Sequence, residues 1–222
     1  MRAMGFFNIY QYAAPLVILP LSYWLWLERC GGEHRLATLM LAIPVLYAYI
    51  VPAVGTNVFR IWEFNTRLRL GRFRPHHGFV FGSATSLIAL ASLPQGMTGP
   101  WELLRAGFVL GSVLAFWNWF YDIQALRAGF LRVYTRSYAE GRGPEAIAMD
   151  YAPPIFGLFG LCYGIAIVLA ETALADPARW DLYWGFFALA NAVCIAVPVG
   201  GYVAWSYWRT GENGLKSYEG AG

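Results

Sequence analysis

Six long apolar stretches, separated by shorter polar ones, organise the 222-residue chain. The stretches cover 9–27, 36–55, 78–94, 103–121, 152–170 and 182–208. An α-helix needs about 20 mostly apolar residues to cross the hydrocarbon core of a bilayer, and the stretch at 78–94 is slightly short of that. We therefore predict an all-α, polytopic integral membrane bundle of about six transmembrane helices, forming a single membrane domain over 1–222.

The arginines indicate how this bundle is oriented. If the N-terminus lies in the cytoplasm, all but four of the 16 Lys and Arg residues fall in cytoplasmic segments. The four exceptions are Arg29, Arg35, Arg105 and Arg179. This bias follows the positive-inside rule. We predict that both termini are cytoplasmic, together with the loops at 56–77 and 122–151.

The composition is that of a chain solvated mainly by lipid. Hydrophobic residues make up 58% of the chain and charged residues 13%, about half the charged fraction of a soluble domain. The net charge is only +3 and no run of Lys or Arg occurs, which argues against a nucleic-acid partner. Short loops, basic residues that are almost all Arg, and the lack of sorting signals favour a multi-pass protein of the bacterial inner membrane.

The residue types give little support to metal chemistry. The chain has 3 Cys and 3 His, too few for the histidine-box oxygenases and without a zinc-site pattern. His76 and His77 are adjacent on a predicted loop, a spacing that rarely brings two imidazoles to one ion. We predict no metal site, and the sequence leaves the cofactor unknown.

Both cytoplasmic loops are predicted to begin as extensions of the preceding helix. No helix breaker follows the second span for several turns, so Arg60, Glu63 and Arg67 would share one helix face at the spacing i, i+3 and i+7. After the fourth span, apolar residues recur at helical spacing, which predicts an amphipathic helical extension. Pro144 then predicts the start of a short helix over 145–150.

Polar residues in these loops and at membrane depth form the candidate site. Arginine forks match the oxygens of phosphate and carboxylate groups, so the arginines would hold an anionic head group while the bundle holds an apolar tail. Acid and amide side chains are costly within a membrane and therefore point to function. The candidate catalytic residues are Asp122, Glu63 and Asn118. The candidate substrate-binding residues are Arg60, Arg67, Tyr121, Arg127, Trp117 and Asn191.

Three classes of function agree with these features. The first is a small, metal-independent membrane enzyme that acts on an amphipathic lipid or isoprenoid by isomerase, cyclase or transferase chemistry at the cytoplasmic face. The second is a transporter or channel, and the third is a structural or pigment-binding subunit of a membrane complex. Under the last two, the arginines serve only as topology signals and head-group anchors. The expected partners are membrane lipids and a hydrophobic or amphipathic small molecule, and a homo-oligomer stays open.

Overall fold

The computed structural model describes residues 2–220, which fold almost entirely into helices. Helix α1 joins Arg2–Ala13 to Leu19–Arg29 through a π-helical turn at Ala14–Ile18. It is followed by α2 (His34–Asn57), strand β1 (Trp62–Phe64), α3 (His77–Ser92), α4 (Pro100–Arg127), strand β2 (Leu131–Val133) and the one-turn α5 (Arg136–Ala139). Helix α6 joins Pro144–Ala152 to Leu158–Ala173 through a π-helical turn at Pro153–Gly157, and α7 spans Trp180–Thr210.

The predicted all-α membrane bundle is confirmed, and the chain is a multi-pass membrane protein. Five helices are long and apolar enough to span a bilayer: Met4–Arg29, His34–Asn57, Pro100–Arg127, Pro144–Ala173 and Trp180–Thr210. Helix α3, in the place of the predicted third span, has only 16 residues and is therefore about 24 Å long, less than the thickness of a typical hydrocarbon core.

The six long helices run between two ends of the bundle in alternating directions. At one end, called the sheet end below, β1 and β2 pair and both chain termini approach them. There the His76 ring donates to the Gln11 side chain of α1 across 3.3 Å. At the same end, the Tyr218 amide of the C-terminal tail donates to the Tyr134 carbonyl across 3.0 Å. Both termini therefore lie on the same side of the bundle, as an even number of crossings requires.

The two loops at the sheet end differ from the helical extensions predicted for them. Helix α2 ends at Asn57, and Arg60 adopts a left-handed backbone with φ +56°, which interrupts a helix. The predicted helix face shared by Arg60, Glu63 and Arg67 is therefore wrong, because Glu63 belongs to β1. Helix α4 does extend beyond its span, to Arg127, but β2 then replaces the rest of the predicted amphipathic helix. The short helix predicted after Pro144 is confirmed as the start of α6.

Glycines bring α4 and α6 into close contact. A Cβ atom built on Gly160 of α6 would lie 2.7 Å from the carbonyl oxygen of Leu110, and one built on Gly164 would lie 2.5 Å from that of Ala106. On α4, a Cβ at Gly111 would lie 2.8 Å from the carbonyl oxygen of Gly157. Small residues allow membrane helices to approach this closely and gain dispersion contacts along their backbones. This interface fixes α6 against α4 along most of their lengths.

A buried arginine joins three helices at the end opposite the sheet. Arg29, at the end of α1, donates from Nε to Glu171 of α6 across 2.8 Å. The same guanidinium donates to the carbonyl groups of Leu93 and Pro94, which follow α3. Its side chain is almost fully buried, while that of Glu171 is partly exposed.

We expect Arg29→Gln to lower the free energy of unfolding by about 2 kcal/mol, because it removes charge-assisted hydrogen bonds from partly buried acceptors. An SDS-unfolding titration followed by far-UV circular dichroism measures this change. Arg179→Gln is the matched control, since Arg179 pairs with Asp181 on the surface. This substitution is expected to change the free energy of unfolding by less than about 0.5 kcal/mol. Equal losses in the two variants would contradict the role of the Arg29 cluster.

Candidate functional site: two adjoining cavities at the sheet end

Two adjoining cavities open near the sheet end of the bundle. The first, called the polar cavity, has a volume of about 60 Å³, enough for a few water molecules. The second, called the apolar cavity, has a volume of about 210 Å³ and is lined almost entirely by aliphatic and aromatic side chains of α2, α6, α7 and the sheet. Val51, Trp62, Tyr151 and Ile155 line both cavities and form the wall between them.

The small sheet places one edge of this wall. Trp62 pairs with Val133, Glu63 with Arg132 and Phe64 with Leu131 in antiparallel register. Because side chains alternate between the two faces of a strand, the pairs at either end face the cavities and the middle pair faces away. Trp62 and Val133 line the apolar cavity, whereas Phe64 and Leu131 line the polar one. The three-residue strands thus close the sheet end over both cavities.

Asp122 and Tyr151 form a hydrogen-bonded pair on the wall of the polar cavity. The Tyr151 hydroxyl donates to Oδ2 of Asp122 across 2.7 Å. Asp122 lies near the end of α4 and is 8% exposed, and Tyr151 lies on α6 and is 7% exposed. The carboxylate is thus a buried proton acceptor, and the phenol that contacts it also lines the apolar cavity. Such a pair can take a proton from an apolar ligand and return one to it.

Arg74 supplies a buried cation to the polar cavity. It is 2% exposed, and its guanidinium carbon lies 4.9 Å from the ring centre of Phe64 and 5.3 Å from that of Phe130. Its Nη2 donates to Nδ1 of His77 across 2.6 Å, so His77 accepts through Nδ1. Burial lowers the pKa of Arg74, and the phenol of Tyr121 partly opposes this shift. An arginine nevertheless stays protonated in proteins.

Two other α4 residues among those proposed from the sequence also line the polar cavity. Asn118 lies one turn before Asp122, and its amide Nδ2 donates to the carbonyl of Leu114 across 2.8 Å. Tyr121 contacts Phe7 edge to face, with ring centres 5.2 Å apart. Helix α4 therefore brings Asn118, Tyr121 and Asp122 to the same cavity.

Glu63 lies outside both cavities, because strand alternation turns it away from them. Its carboxylate accepts from Nη1 of Arg132 across 3.0 Å and from the Tyr134 hydroxyl across 2.9 Å. The hydrogen bond from Arg132 to Glu63 raises the pKa of the Arg132 guanidinium. These contacts join the two loops at the sheet end, so we assign Glu63 to the sheet and leave it out of the proposed chemistry.

The remaining residues proposed from the sequence also lie apart from the two cavities. Arg60, Arg67 and Trp117 are exposed. Arg127 forms a surface ion pair with Glu145, and Asn191 is buried in α7, where its amide donates to the carbonyl one turn earlier. The structure thus gathers only three residues of the sequence-based site, all on α4. It adds three that the sequence had not singled out as site residues: Arg74, His77 and Tyr151.

No signal in the sequence assigns Arg74 or Tyr151 to this site. A tyrosine at the start of an apolar stretch is typical of a core or interface residue, and an arginine in a cytoplasmic loop is typical of a topology signal. Only tertiary contact brings these residues, which lie on different elements, to Asp122. The loop at 58–76 folds back against the end of the bundle and thereby places Arg74 in the polar cavity, and no local pattern in the sequence indicates this path.

The described residues hold no cluster of three or more His, Cys, Asp or Glu side chains of the kind that binds a metal ion. The two adjacent histidines also diverge. His77 faces the polar cavity, whereas the His76 ring stacks on Tyr12 with centres 5.0 Å apart. Burial, and then the nearby charge of Arg74, lower the pKa of His76 to about 4, so this ring is neutral at pH 7.

Comparison of this chain with protein-family models, with curated proteins and with solved structures gives no significant match to any of them.

Proposed function

We propose that this protein is a metal-independent integral membrane enzyme that moves a proton on an amphipathic lipid or isoprenoid, in isomerase or cyclase chemistry. One observation carries the proposal. Asp122 and Tyr151 are joined across 2.7 Å on a buried wall, with a polar cavity on one side and an apolar cavity on the other. A largely apolar pocket with a few convergent polar groups is typical of a functional site.

The geometry assigns separate roles to the two cavities. The apolar cavity takes the hydrocarbon part of the substrate. Ile50 and Val54 line this cavity and are also exposed on the outer surface of α2, so a longer chain can continue from it into the surrounding lipid. Asp122 accepts a proton from the substrate, while the Tyr151 hydroxyl holds the carboxylate in place and returns its own proton to the substrate. The proton on Asp122 then passes to the Tyr151 oxygen across their 2.7 Å hydrogen bond, which restores the pair. Asn118 and the polar cavity hold the polar end of the substrate or ordered water.

The proposed lipid substrate and the proposed membrane location of the enzyme support each other. A substrate dissolved in the bilayer enters the apolar cavity laterally from the lipid, without passing through water. The sheet end, where the arginine-rich loops lie, is the cytoplasmic side under the positive-inside rule, and the bacterial inner membrane is the proposed location. Membrane lipids and one amphipathic small molecule are then the partners of the site.

Proton transfer to carbon can be detected before the substrate is known. The purified full-length protein is incubated with a total lipid extract in buffered D₂O, and the lipids are then analysed by mass spectrometry. We expect one lipid class to gain deuterium at carbon only in the presence of active protein, because the acidic protons of the Asp122–Tyr151 pair exchange with solvent before one of them returns to the substrate.

Heat-denatured protein and lipid extract alone serve as controls for this experiment. Mass spectrometry of an organic extract of the purified protein then identifies what co-purifies, which we expect to belong to the deuterated class. If no lipid class gains deuterium and only bulk phospholipid co-purifies, the enzyme proposal is wrong. The transporter and structural-subunit hypotheses would then be favoured.

A further inference from the structure

The buried guanidinium of Arg74 lacks acceptors for two of its nitrogens. Nε and Nη1 are buried and have no hydrogen-bond partner among residues 4–220. Only Nη2 is paired, with His77. A buried charged donor that is left without an acceptor is strongly unfavourable, and an arginine cannot escape this by losing its proton. The site therefore favours an anionic acceptor, which the side chains around it do not supply.

The neighbours of Arg74 supply no anionic acceptor. The phenol of Tyr121 lies close enough to interact with the guanidinium, but it is neutral and leaves the positive charge unbalanced. The faces of Phe64 and Phe130 attract the cation but offer no lone pair. No Asp or Glu oxygen of the described residues lies within 4.0 Å of its nitrogens, since Arg74 takes part in none of the ion pairs found there. Asp122 lines the same cavity but is hydrogen-bonded to Tyr151.

We propose that Arg74 binds the carboxylate of a long-chain acid, which makes the substrate of the proposed enzyme an apolar carboxylic acid. This inference rests on the proposed function and names its substrate class. A cavity of about 60 Å³ has room for a single small polar group. One arginine balances one negative charge, and the Asp122 carboxyl in the same cavity disfavours a dianion such as a phosphate monoester.

The position of Arg74 also orients the chain. The polar cavity adjoins the apolar cavity across Val51, Trp62, Tyr151 and Ile155. An acid held at Arg74 therefore directs its hydrocarbon past the Asp122–Tyr151 pair and into the apolar cavity. Proton transfer then takes place on the carbons close to the carboxyl group, and the distal part of the chain lies among aliphatic side chains or in lipid.

Dodecanoate labelled with ¹³C at the carboxyl carbon tests this binding directly. It is added to the full-length protein in phosphatidylcholine nanodiscs and followed by ¹³C NMR. We expect the bound dodecanoate to give a resonance distinct from that of dodecanoate in the bilayer. The bound form should stay in the carboxylate form to lower pH, because the guanidinium favours the charged form. Arg74→Gln should weaken this binding at least about tenfold.

The controls separate the acid group from the apolar chain and from any general effect of charge. Arg69→Gln removes an exposed arginine of the same loop and should leave the bound resonance intact, and Arg74→Lys should bind more weakly than wild type but better than Arg74→Gln. Neither unlabelled dodecanol nor acetate, each at the concentration of dodecanoate, should displace it. Displacement by dodecanol would show that the chain alone binds, and displacement by acetate would show a site for free anions. Either result would overturn the inference.

The readout is binding, so its failure differs from failure of the proposed function. Absence of a bound resonance in the wild-type protein, or its persistence in a folded Arg74→Gln variant, overturns the carboxylate inference even if deuterium exchange is observed. Folding of each variant is checked by size-exclusion chromatography and circular dichroism. If Arg74→Gln does not fold, the comparison of dodecanoate with dodecanol on the wild type decides the question.

Discussion

Asp122→Asn is expected to lower the rate of deuterium incorporation into the substrate lipid by about 10²- to 10⁴-fold, the usual contribution of a general acid or base. The amide has the shape of the carboxyl group and can still accept the Tyr151 hydroxyl, but it cannot take a proton. Tyr151→Phe keeps the base and removes the hydroxyl that positions it and that returns the proton. Its rate should fall by about tenfold or more.

The matched control for this prediction lies on the same helix. Glu102 is in the first turn of α4, at the opposite end from Asp122, and its carboxylate is only loosely paired with Arg105 at 3.6 Å. Glu102→Gln therefore removes one acid from α4 without touching either cavity, and its exchange rate should equal that of the wild type. Unchanged exchange in Asp122→Asn, or an equal loss in both variants, would remove Asp122 from the mechanism.

The helices were predictable because their signals are local. An apolar run of about 20 residues identifies a membrane span without reference to any other part of the chain. Pro100 and Pro144 each begin a helix, where the missing amide hydrogen is not needed. The α3 stretch was predicted to be short, and it is the helix that falls below the length of the other five.

The sheet end was not predictable, because its structure depends on contacts between distant segments. Glu63 and Arg132 are paired across 69 residues, and strands of three residues carry too little pattern to be recognised alone. Residues 58–70 contain no helix breaker, and apolar residues in 123–134 recur at helical spacing, so both segments were predicted to be helical. The left-handed backbone at Arg60 and at Gly129, with φ +56° and +69°, ends that pattern where the two loops meet.

The site was predictable on one helix and not across helices. Asn118 and Asp122 stood out because amide and acid groups one turn apart are unusual near the end of an apolar helix. Tyr151 lies 29 residues further on, and Arg74 precedes both by most of two helices. Nothing in their spacing relates them to Asp122, so the pairing and the buried cation come only from the fold.

Gly160→Val is expected to destabilise the helix interface strongly, lowering the free energy of unfolding by about 4 kcal/mol or more. The new Cβ would lie 2.7 Å from the carbonyl oxygen of Leu110 and 2.8 Å from Cα of Gly111. Both are backbone atoms of α4, so no side chain can rotate to make room. The two helices must move apart and lose contacts along their lengths.

The control for this change is the same substitution where there is space. A Cβ on Gly185 of α7 has no atom within 4 Å, so Gly185→Val should change the free energy of unfolding by less than about 0.5 kcal/mol. SDS titration followed by circular dichroism compares the two variants.

Gly160 also lies on the helix that carries Tyr151, and Leu110 on the helix that carries Asp122. Separation of these helices should therefore lower deuterium exchange in any Gly160→Val protein that folds. A folded Gly160→Val with wild-type stability and exchange would show that the α4–α6 contact sets neither the fold nor the geometry of the Asp122–Tyr151 pair.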